Sequence, residues 1–169
     1  MATTILPFLC LGPRTSASAD TLIRNHITDV LSIGSQPPSA LQGVTYHRLS
    51  LSDDTDASIR DVSEEADSII KSVHEEPGRK ILLHCSAAIS RSPTIVIAYL
   101  MKHHGMNLYN ALGFVIQARA SVCPNPGFLA QLKEMELELY PTSSLALVEL
   151  PRRKQDRLGF FADALPPTC

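Results

Sequence analysis

Residues 80–104 constrain the fold more than any other stretch of the chain. Lys80-Ile81-Leu82-Leu83 follows Pro77-Gly78 and reads as a short buried strand, an apolar run bounded by turn residues. From Pro93 to His104 the pattern turns helical, and proline suits the first turn of a helix. Small residues join the two, so Cys85 sits where a strand ends, a loop wraps round and a helix begins. Such a junction suits a phosphate, because loop and helix-start N–H groups converge on an anion and the helix dipole favours negative charge there. The same field favours the thiolate of Cys85, the form that acts as a nucleophile. Arg91 lies at the mouth of the loop, where its planar fork can hold two phosphate oxygens. Ser92 is placed to donate a hydrogen bond to the thiolate. Taken singly, Cys85 reads as a small buried hydrophobe and Arg91 as a surface charge. The joint occurrence of His84, Cys85, Arg91 and Ser92 at one strand–helix junction favours the nucleophilic reading.

At 169 residues the chain is long enough for one domain with a full core. A formal net charge of -2 gives no basic excess, so no nucleic-acid partner is expected. No apolar run approaches the ~18 residues of a membrane span. Met1-Ala2-Thr3-Thr4 carries neither the basic region nor the apolar core of a signal peptide, and alanine at position 2 excludes the usual myristoylation rule. Cys169 is the last residue, whereas prenylation needs a cysteine four from the end, so no membrane anchor is expected. Cys10, Cys85, Cys123 and Cys169 form neither a metal-ligand spacing nor a dense disulfide framework. A reduced setting, cytoplasmic or nuclear, is expected, and a working Cys85 thiolate requires it. Cys10 is expected to pack in a strand; Cys123 is a packed thiol or a redox partner for Cys85.

Residues 5–11 are apolar, interrupted by Pro7, and read as one or two edge strands. Ser16 or Ser18 is expected to cap a short helix through Ile23. Residues 27–33 read as an inner strand stopped at Gly34, and residues 44–51 alternate as a strand before the acidic run Asp53-Asp54-Thr55-Asp56. Ile59, Val62, Ala66, Ile69, Ile70 and Val73 recur at helical spacing on one face. Gly105 stops the signature helix, Asn107 can cap the next, and residues 123–127 read as a turn. Phe128, Leu132, Met135 and Leu139 then mark a last amphipathic helix. Strands interleaved with helices, then helices alone, predict an α/β fold with a mainly parallel central sheet flanked by helices. Residues 1–140 read as the catalytic domain. Residues 141–169 read as a C-terminal tail: a linker, then a basic patch at Arg152-Arg153-Lys154 and Arg157 beside Phe160-Phe161. That patch either docks on an acidic partner or is a solvated tail whose short helix folds back on its own domain.

The stretch His84-Cys85, five residues, Arg91-Ser92 resembles the signature of the cysteine-based protein tyrosine phosphatases. Ser90-Arg91-Ser92 and the following Ala98-Tyr99-Leu100-Met101 are similar to the dual-specificity branch. Residues 5–12, 27–31, 46–53 and the closing run from Arg119 through Pro124-Asn125-Pro126-Gly127-Phe128 extend the resemblance over nearly the whole chain short of the tail. The chain thus resembles a small atypical dual-specificity phosphatase, with no rhodanese-like domain preceding the catalytic one.

The resemblance implies a mechanism. Cys85 attacks phosphorus; Arg91 and the N–H groups of Ser86, Ala87, Ala88, Ile89 and Ser90 bind the equatorial oxygens. Asp53 protonates the leaving oxygen and then activates water, with Asp54 as the alternative acid and Asp56 a third candidate. Ser92 stabilises the departing thiolate. His84 and Asn125 are implied as supporting residues that brace the loop. No metal or other cofactor is implied. The uncharged loop favours phosphoproteins over inositol lipids, so the implied partners are phosphorylated proteins, protein kinases among them. The family usually has glycine where this chain has Ala88, and often proline where it has Ala120. If position 88 needs positive φ, alanine costs ~1–2 kcal/mol. A weakly active module that holds phosphoproteins without fast turnover is therefore the alternative function. Sulfur transfer by a rhodanese-like loop is disfavoured by the Arg91-Ser92 ending and the acidic loop.

Overall fold

The computed structural model describes residues 1–167; Cys169 lies outside the described residues. A five-stranded sheet runs in the order β1-β2-β5-β3-β4. Its strands are β1 (Thr3–Leu6), β2 (Leu9–Pro13), β3 (Asp29–Ile33), β4 (Thr45–Leu49) and β5 (Ile81–Cys85). β1 pairs antiparallel to β2, and the other three pairings are parallel. The sheet is thus mainly parallel, as the element order predicts. β2 is interior rather than an edge, because β5 pairs along its other side. The β1–β2 register shifts between Thr4 and Leu6, beside the turn at Pro7 and Phe8. The inner strand begins two residues later than the apolar run suggests, at Asp29.

Alternation on the strands divides the core. Val30 and Leu82 face Leu22 and Ala17 of a short layer made by a 3-10 turn (Arg14–Ala17) and α1 (Ala19–Arg24). Leu31, Ile33, Ile81 and Leu83 face the larger layer. That layer holds α2 (Arg60–His74), α3 (Arg91–His103), α4 (Leu108–Ala118), α5 (Pro126–Leu139) and α6 (Lys154–Phe160). Every residue of α3 from Ser92 to Met101 is buried, which fits a helix with apolar residues on all sides. Neither Ser16 nor Ser18 caps a helix through its side chain. Ser16 lies inside the 3-10 turn, and the Ser18 hydroxyl goes to Thr21 Oγ1 at 3.0 Å instead. Asn107 does cap α4, accepting from the Asn110 N–H at 2.9 Å.

The segment expected as a turn at residues 123–127 is shorter, since Pro126 and Gly127 already belong to α5. Asn125 caps that helix through the Phe128 N–H at 2.9 Å. Gly127 is dictated by contact: a Cβ there would lie 1.9 Å from the Thr55 carbonyl oxygen. After α5, buried Glu136 accepts from the Leu108 N–H at 2.8 Å and the Ser144 N–H at 3.0 Å. It thereby joins the start of α4 to the C-terminal segment. Leu145, Leu150, Phe161 and Ala164 of that segment complete the larger core. No helix among the described residues is long and apolar enough to cross a membrane.

Candidate active site

β5 lies between β2 and β3, and the carboxyl ends of these three strands meet at one edge of the sheet. Ligands of parallel α/β sheets bind beyond such ends. Cys85 is the last residue of β5 and is buried, while Ser86, Ala87 and Ile89 are exposed. The helix that follows begins at Arg91, two residues earlier than Pro93, which leaves residues 86–90 as the loop.

Every carbonyl of that loop is taken by a donor of the protein. Ser86 accepts from the Arg14 N–H at 3.1 Å, Ile89 from the Cys123 N–H at 2.7 Å and Ser90 from the Thr94 N–H at 3.0 Å. The Ala87 and Ala88 carbonyls accept from Arg119 Nη2 at 3.4 Å and Nε at 3.3 Å. Among the described residues, no acceptor pairs with the loop's own N–H groups. A loop with its carbonyls tied back and its N–H groups free is an anion cradle, and the start of α3 adds its dipole.

Arg91 is fixed at two points. Nη1 donates to the Gly34 carbonyl at 2.6 Å and Nη2 to Ser86 Oγ at 2.9 Å. Its buried Nε has no hydrogen-bond partner and lies 3.9 Å from Asp53 Oδ2. Gly34 is required there: at φ +57°, a Cβ would lie 2.0 Å from the Leu51 carbonyl oxygen and 2.6 Å from Arg91 Nη1. In the sequence Gly34 marks only the stop of a strand; its place directly after a buried strand is the one local signal of this second role.

Ser92 Oγ donates to Cys85 Sγ at 3.2 Å. His84 is wholly buried, with Nδ1 3.2 Å from the Cys85 carbonyl and Nε2 2.8 Å from Ser32 Oγ. A carbonyl only accepts, so Nδ1 carries the proton and Nε2 accepts from Ser32. Burial holds His84 below the usual imidazole range, aided by the Arg14 charge and opposed by the bond to Cys85.

Of the three acidic candidates, Asp53 is the one joined to the loop. Its Oδ1 accepts from Ser90 Oγ at 2.6 Å and from Asn125 Nδ2 at 3.0 Å. The Asn125 N–H in turn donates to Ser90 Oγ at 3.1 Å. All three aspartates are exposed, so the bonds to Ser90 and Asn125, not burial, set Asp53 apart. Gln131 holds the far end of the acidic loop, donating to the Ala57 carbonyl at 2.9 Å and accepting from the Ile59 N–H at 2.9 Å.

Ala88 is buried and adopts φ +54°, in the left-handed region that glycine tolerates best. Arg119 was read as part of a closing run, not as a loop partner. Burial depresses its ionisation, partly offset by the field of Cys85. Cys10, Cys85 and Cys123 are free thiols, and Cys10 is buried in β2. Among the described residues, no group of three or more His, Cys, Asp or Glu side chains could hold a metal ion. An apolar cleft of about 530 Å³, lined by Phe8, His74 and Phe114 among others, lies at the opposite end of the sheet from Cys85.

The family model "Dual specificity phosphatase, catalytic domain" matches residues 9–138. Rat dual specificity protein phosphatase 5 is 39% identical over 141 residues, which is 82% of this chain but only 36% of that protein. The chain therefore spans about a third of that relative's length. The crystal structure of DUSP15 superposes with a TM-score of 0.75 at 31% identity, covering 97% of this chain and 96% of that one. The human tyrosine phosphatase-like serine/threonine/tyrosine-interacting protein gives a TM-score of 0.75 at 32% identity, covering 81% of this chain and 96% of that one.

Proposed function

The chain belongs to the dual specificity phosphatase family, and from that premise we propose that it hydrolyses phosphotyrosine and phosphoserine or phosphothreonine on proteins through a cysteinyl-phosphate intermediate. One observation carries the reading: the carbonyls of residues 86–90 are bound by the protein, and the N–H groups beside them have no acceptor among the described residues. Such a cradle takes a tetrahedral oxyanion and puts its central atom over the thiol at its base.

In the proposed cycle Cys85 attacks phosphorus in line. Arg91, already oriented by Gly34 and Ser86, turns its unpaired Nε–H and fork toward the equatorial oxygens. Asp53 gives a proton to the leaving oxygen. Both neighbouring donors bind its Oδ1, so Oδ2 is the oxygen left to carry that proton. In the second half Asp53 as carboxylate takes a proton from water, which attacks the phosphoryl-cysteine. Ser92 supports the departing thiolate through its 3.2 Å bond. His84 orients the Cys85 carbonyl and shuttles no proton, because it is walled in by Ser32 and the backbone. Phosphorylated proteins, protein kinases among them, are the proposed partners, in the reduced cytoplasm or nucleus where Cys85 stays free. No resident cofactor enters the proposed steps.

A second reading has one feature in its favour. Ala88 at φ +54° strains the cradle, which suits a module that holds phosphoproteins and turns them over slowly. The structural relative named a phosphatase-like interacting protein has the same fold. The two readings separate on rate. With an aryl phosphate, wild type should turn over, and Cys85→Ser should retain tungstate binding but less than about one per cent of the activity, since a hydroxyl lacks the thiolate's nucleophilicity. Tungstate binding without wild-type turnover would support the module; turnover that survives in Cys85→Ser would overturn the proposed nucleophile.

A further inference from the structure

The basic patch of the C-terminal segment divides sharply. Arg152, Arg153 and Lys154 are exposed, while Arg157 is only 3% exposed. Among the described residues no carboxylate pairs with Arg157. Its fork is spent on main-chain carbonyls: Nη1 donates to Pro151 at 2.7 Å and Arg152 at 2.9 Å, and Nη2 to Ala120 at 3.0 Å. Its buried Nε has no hydrogen-bond partner among the described residues. A buried guanidinium with an orphaned N–H and no counter-charge is costly to desolvate, and that cost is offset here only by the carbonyls it holds.

The residue that Arg157 reaches shows what the cost supports. Ala120 belongs to the connection between α4 and α5, and that connection holds the back of the phosphate loop. Arg119 binds the Ala87 and Ala88 carbonyls, the Cys123 N–H binds Ile89, and the Asn125 N–H binds Ser90. Arg157 ties the C-terminal segment to that connection one residue from Arg119. The anchor is itself fixed, because one face of α4 is built to receive the segment. A Cβ at Gly113 would lie 2.3 Å from Ala164 Cβ, Gln117 Nε2 donates to the Phe161 carbonyl at 2.7 Å, and Asn110 Oδ1 accepts from the Leu165 N–H at 3.0 Å.

We infer that Arg157 is a positioning residue for the phosphate loop, acting from outside the matched catalytic domain through Ala120 and Arg119. The C-terminal segment from Pro151 onward is then part of the working site. Without Arg157 the connection relaxes, Arg119 loses its register with the Ala87 and Ala88 carbonyls, and the N–H groups of the cradle diverge. The inference rests on the phosphatase reading for its kinetic consequence, but its consequence for anion binding does not.

The test compares full-length wild type, Arg157→Met and Arg157→Lys, each alone and with Arg119→Lys. Three quantities are measured: tungstate affinity by calorimetry, kcat/KM over aryl phosphates of graded leaving ability, and the melting temperature. Arg157→Met leaves the Pro151, Arg152 and Ala120 carbonyls without their donor, so its melting temperature should fall, while tungstate binding weakens about tenfold. Its kcat/KM should fall on every leaving group, because the cradle serves all of them, and somewhat more on poor ones, because Ser90 and Asn125 also hold Asp53. With Arg119→Lys already present, Arg157→Met should add little, since both act through one path. Unchanged tungstate affinity in a folded Arg157→Met overturns the inference, as does a loss fully additive with Arg119→Lys. Should the methionine variant not fold, wild-type affinity in Arg157→Lys overturns it equally, because an ammonium lacks the fork that spans both segments. Wild type that binds no tungstate also overturns it. Wild type that binds tungstate without turnover, with the affinity lost in Arg157→Met, supports the inference and counts against the phosphatase reading. Turnover that depends on Cys85 but not on Arg157 leaves that reading standing and removes only the inference.

Discussion

The hydroxyl of Ser90 donates to Oδ1 of Asp53 across 2.6 Å and so ties the end of the phosphate loop to the acidic loop. Asn125 adds a second donor to the same oxygen at 3.0 Å. The proposed acid is therefore held in place by the loop proposed to bind the phosphate. Asp53→Asn should lower turnover of alkyl phosphates by roughly 10² to 10⁴, and much less for aryl phosphates with good leaving groups. Ser90→Ala should give a smaller loss with the same dependence on leaving group. Kinetics across a leaving-group series checks both, and a larger loss in Asp54→Asn than in Asp53→Asn would displace the assignment.

How far the site was legible follows from which signals are local. The Cys85 loop was legible as a unit because Cys85, Arg91 and Ser92 share one strand–loop–helix segment, β5 running into α3. The sheet was readable because apolar runs and turn residues alternate along the chain. The partners of that unit come from far away in sequence. Gly34 meets Arg91, Arg119 meets Ala88 and Gly127 meets Thr55 only once the sheet and helices assemble. Glycine in such places looks like punctuation until its neighbour is known. The interior place of β2 was hidden for a similar reason, since Pro7 marks an edge but says nothing of the strand beyond the turn. Arg157 follows Arg152-Arg153-Lys154 across Gln155 and Asp156, and nothing in that basic stretch marks it as buried while the other three are exposed.

Gly34 gives a second prediction. Alanine there would sit at φ +57° with its Cβ against the Leu51 carbonyl and Arg91 Nη1. The backbone strain alone costs ~1–2 kcal/mol, and the clash must move the arginine, the strand end or both. Gly34→Ala should therefore lower the melting temperature and cut kcat/KM by tenfold or more. Both losses are expected together, because one carbonyl serves the fold and Arg91. Calorimetry and steady-state kinetics on one preparation check it, and a variant with full activity would show that Arg91 does not need this anchor.

Acid sensitivity follows from His84. Burial holds it neutral in the folded chain, below the imidazole range of an unfolded chain near ~6.5. The unfolded state therefore takes up the proton first as pH falls. Stability should be fully present above about pH 6.5 and decline below it, continuing until the folded-state value is passed. His104, likewise depressed by burial and by the charges of His103 and His74, adds the same sign. Urea unfolding at pH 7.5 and 5.5 should show a lower midpoint at the acid value. His84→Gln should weaken that pH dependence while lowering stability at both values, because it disturbs the Ser32 and Cys85 bonds. An unchanged dependence in both His84→Gln and His104→Gln would assign the acid loss elsewhere.

Ala88 carries the sharpest prediction. It is a buried alanine at φ +54°, a conformation that costs a non-glycine residue ~1–2 kcal/mol. Glycine would remove that strain, but it would also give up a buried methyl worth ~0.8 kcal/mol and pay ~0.5–1 kcal/mol of chain entropy. These terms nearly cancel, so Ala88→Gly should leave the melting temperature little changed. Activity does not share the cancellation. Strain at one residue of the cradle favours loop shapes in which the neighbouring N–H groups no longer face one phosphate, and only the competent fraction reacts. A penalty of ~1.4 kcal/mol on that fraction is about tenfold in rate. Ala88→Gly should accordingly raise kcat/KM by roughly three- to thirtyfold, with tungstate affinity rising in step. The Arg119 bond to the Ala88 carbonyl sets the limit, because it holds the loop near its working shape even with alanine present. Side-by-side kinetics decides the matter: equal or lower efficiency in the glycine variant would mean that Arg119 already absorbs the strain and that the departure at position 88 does not slow the enzyme.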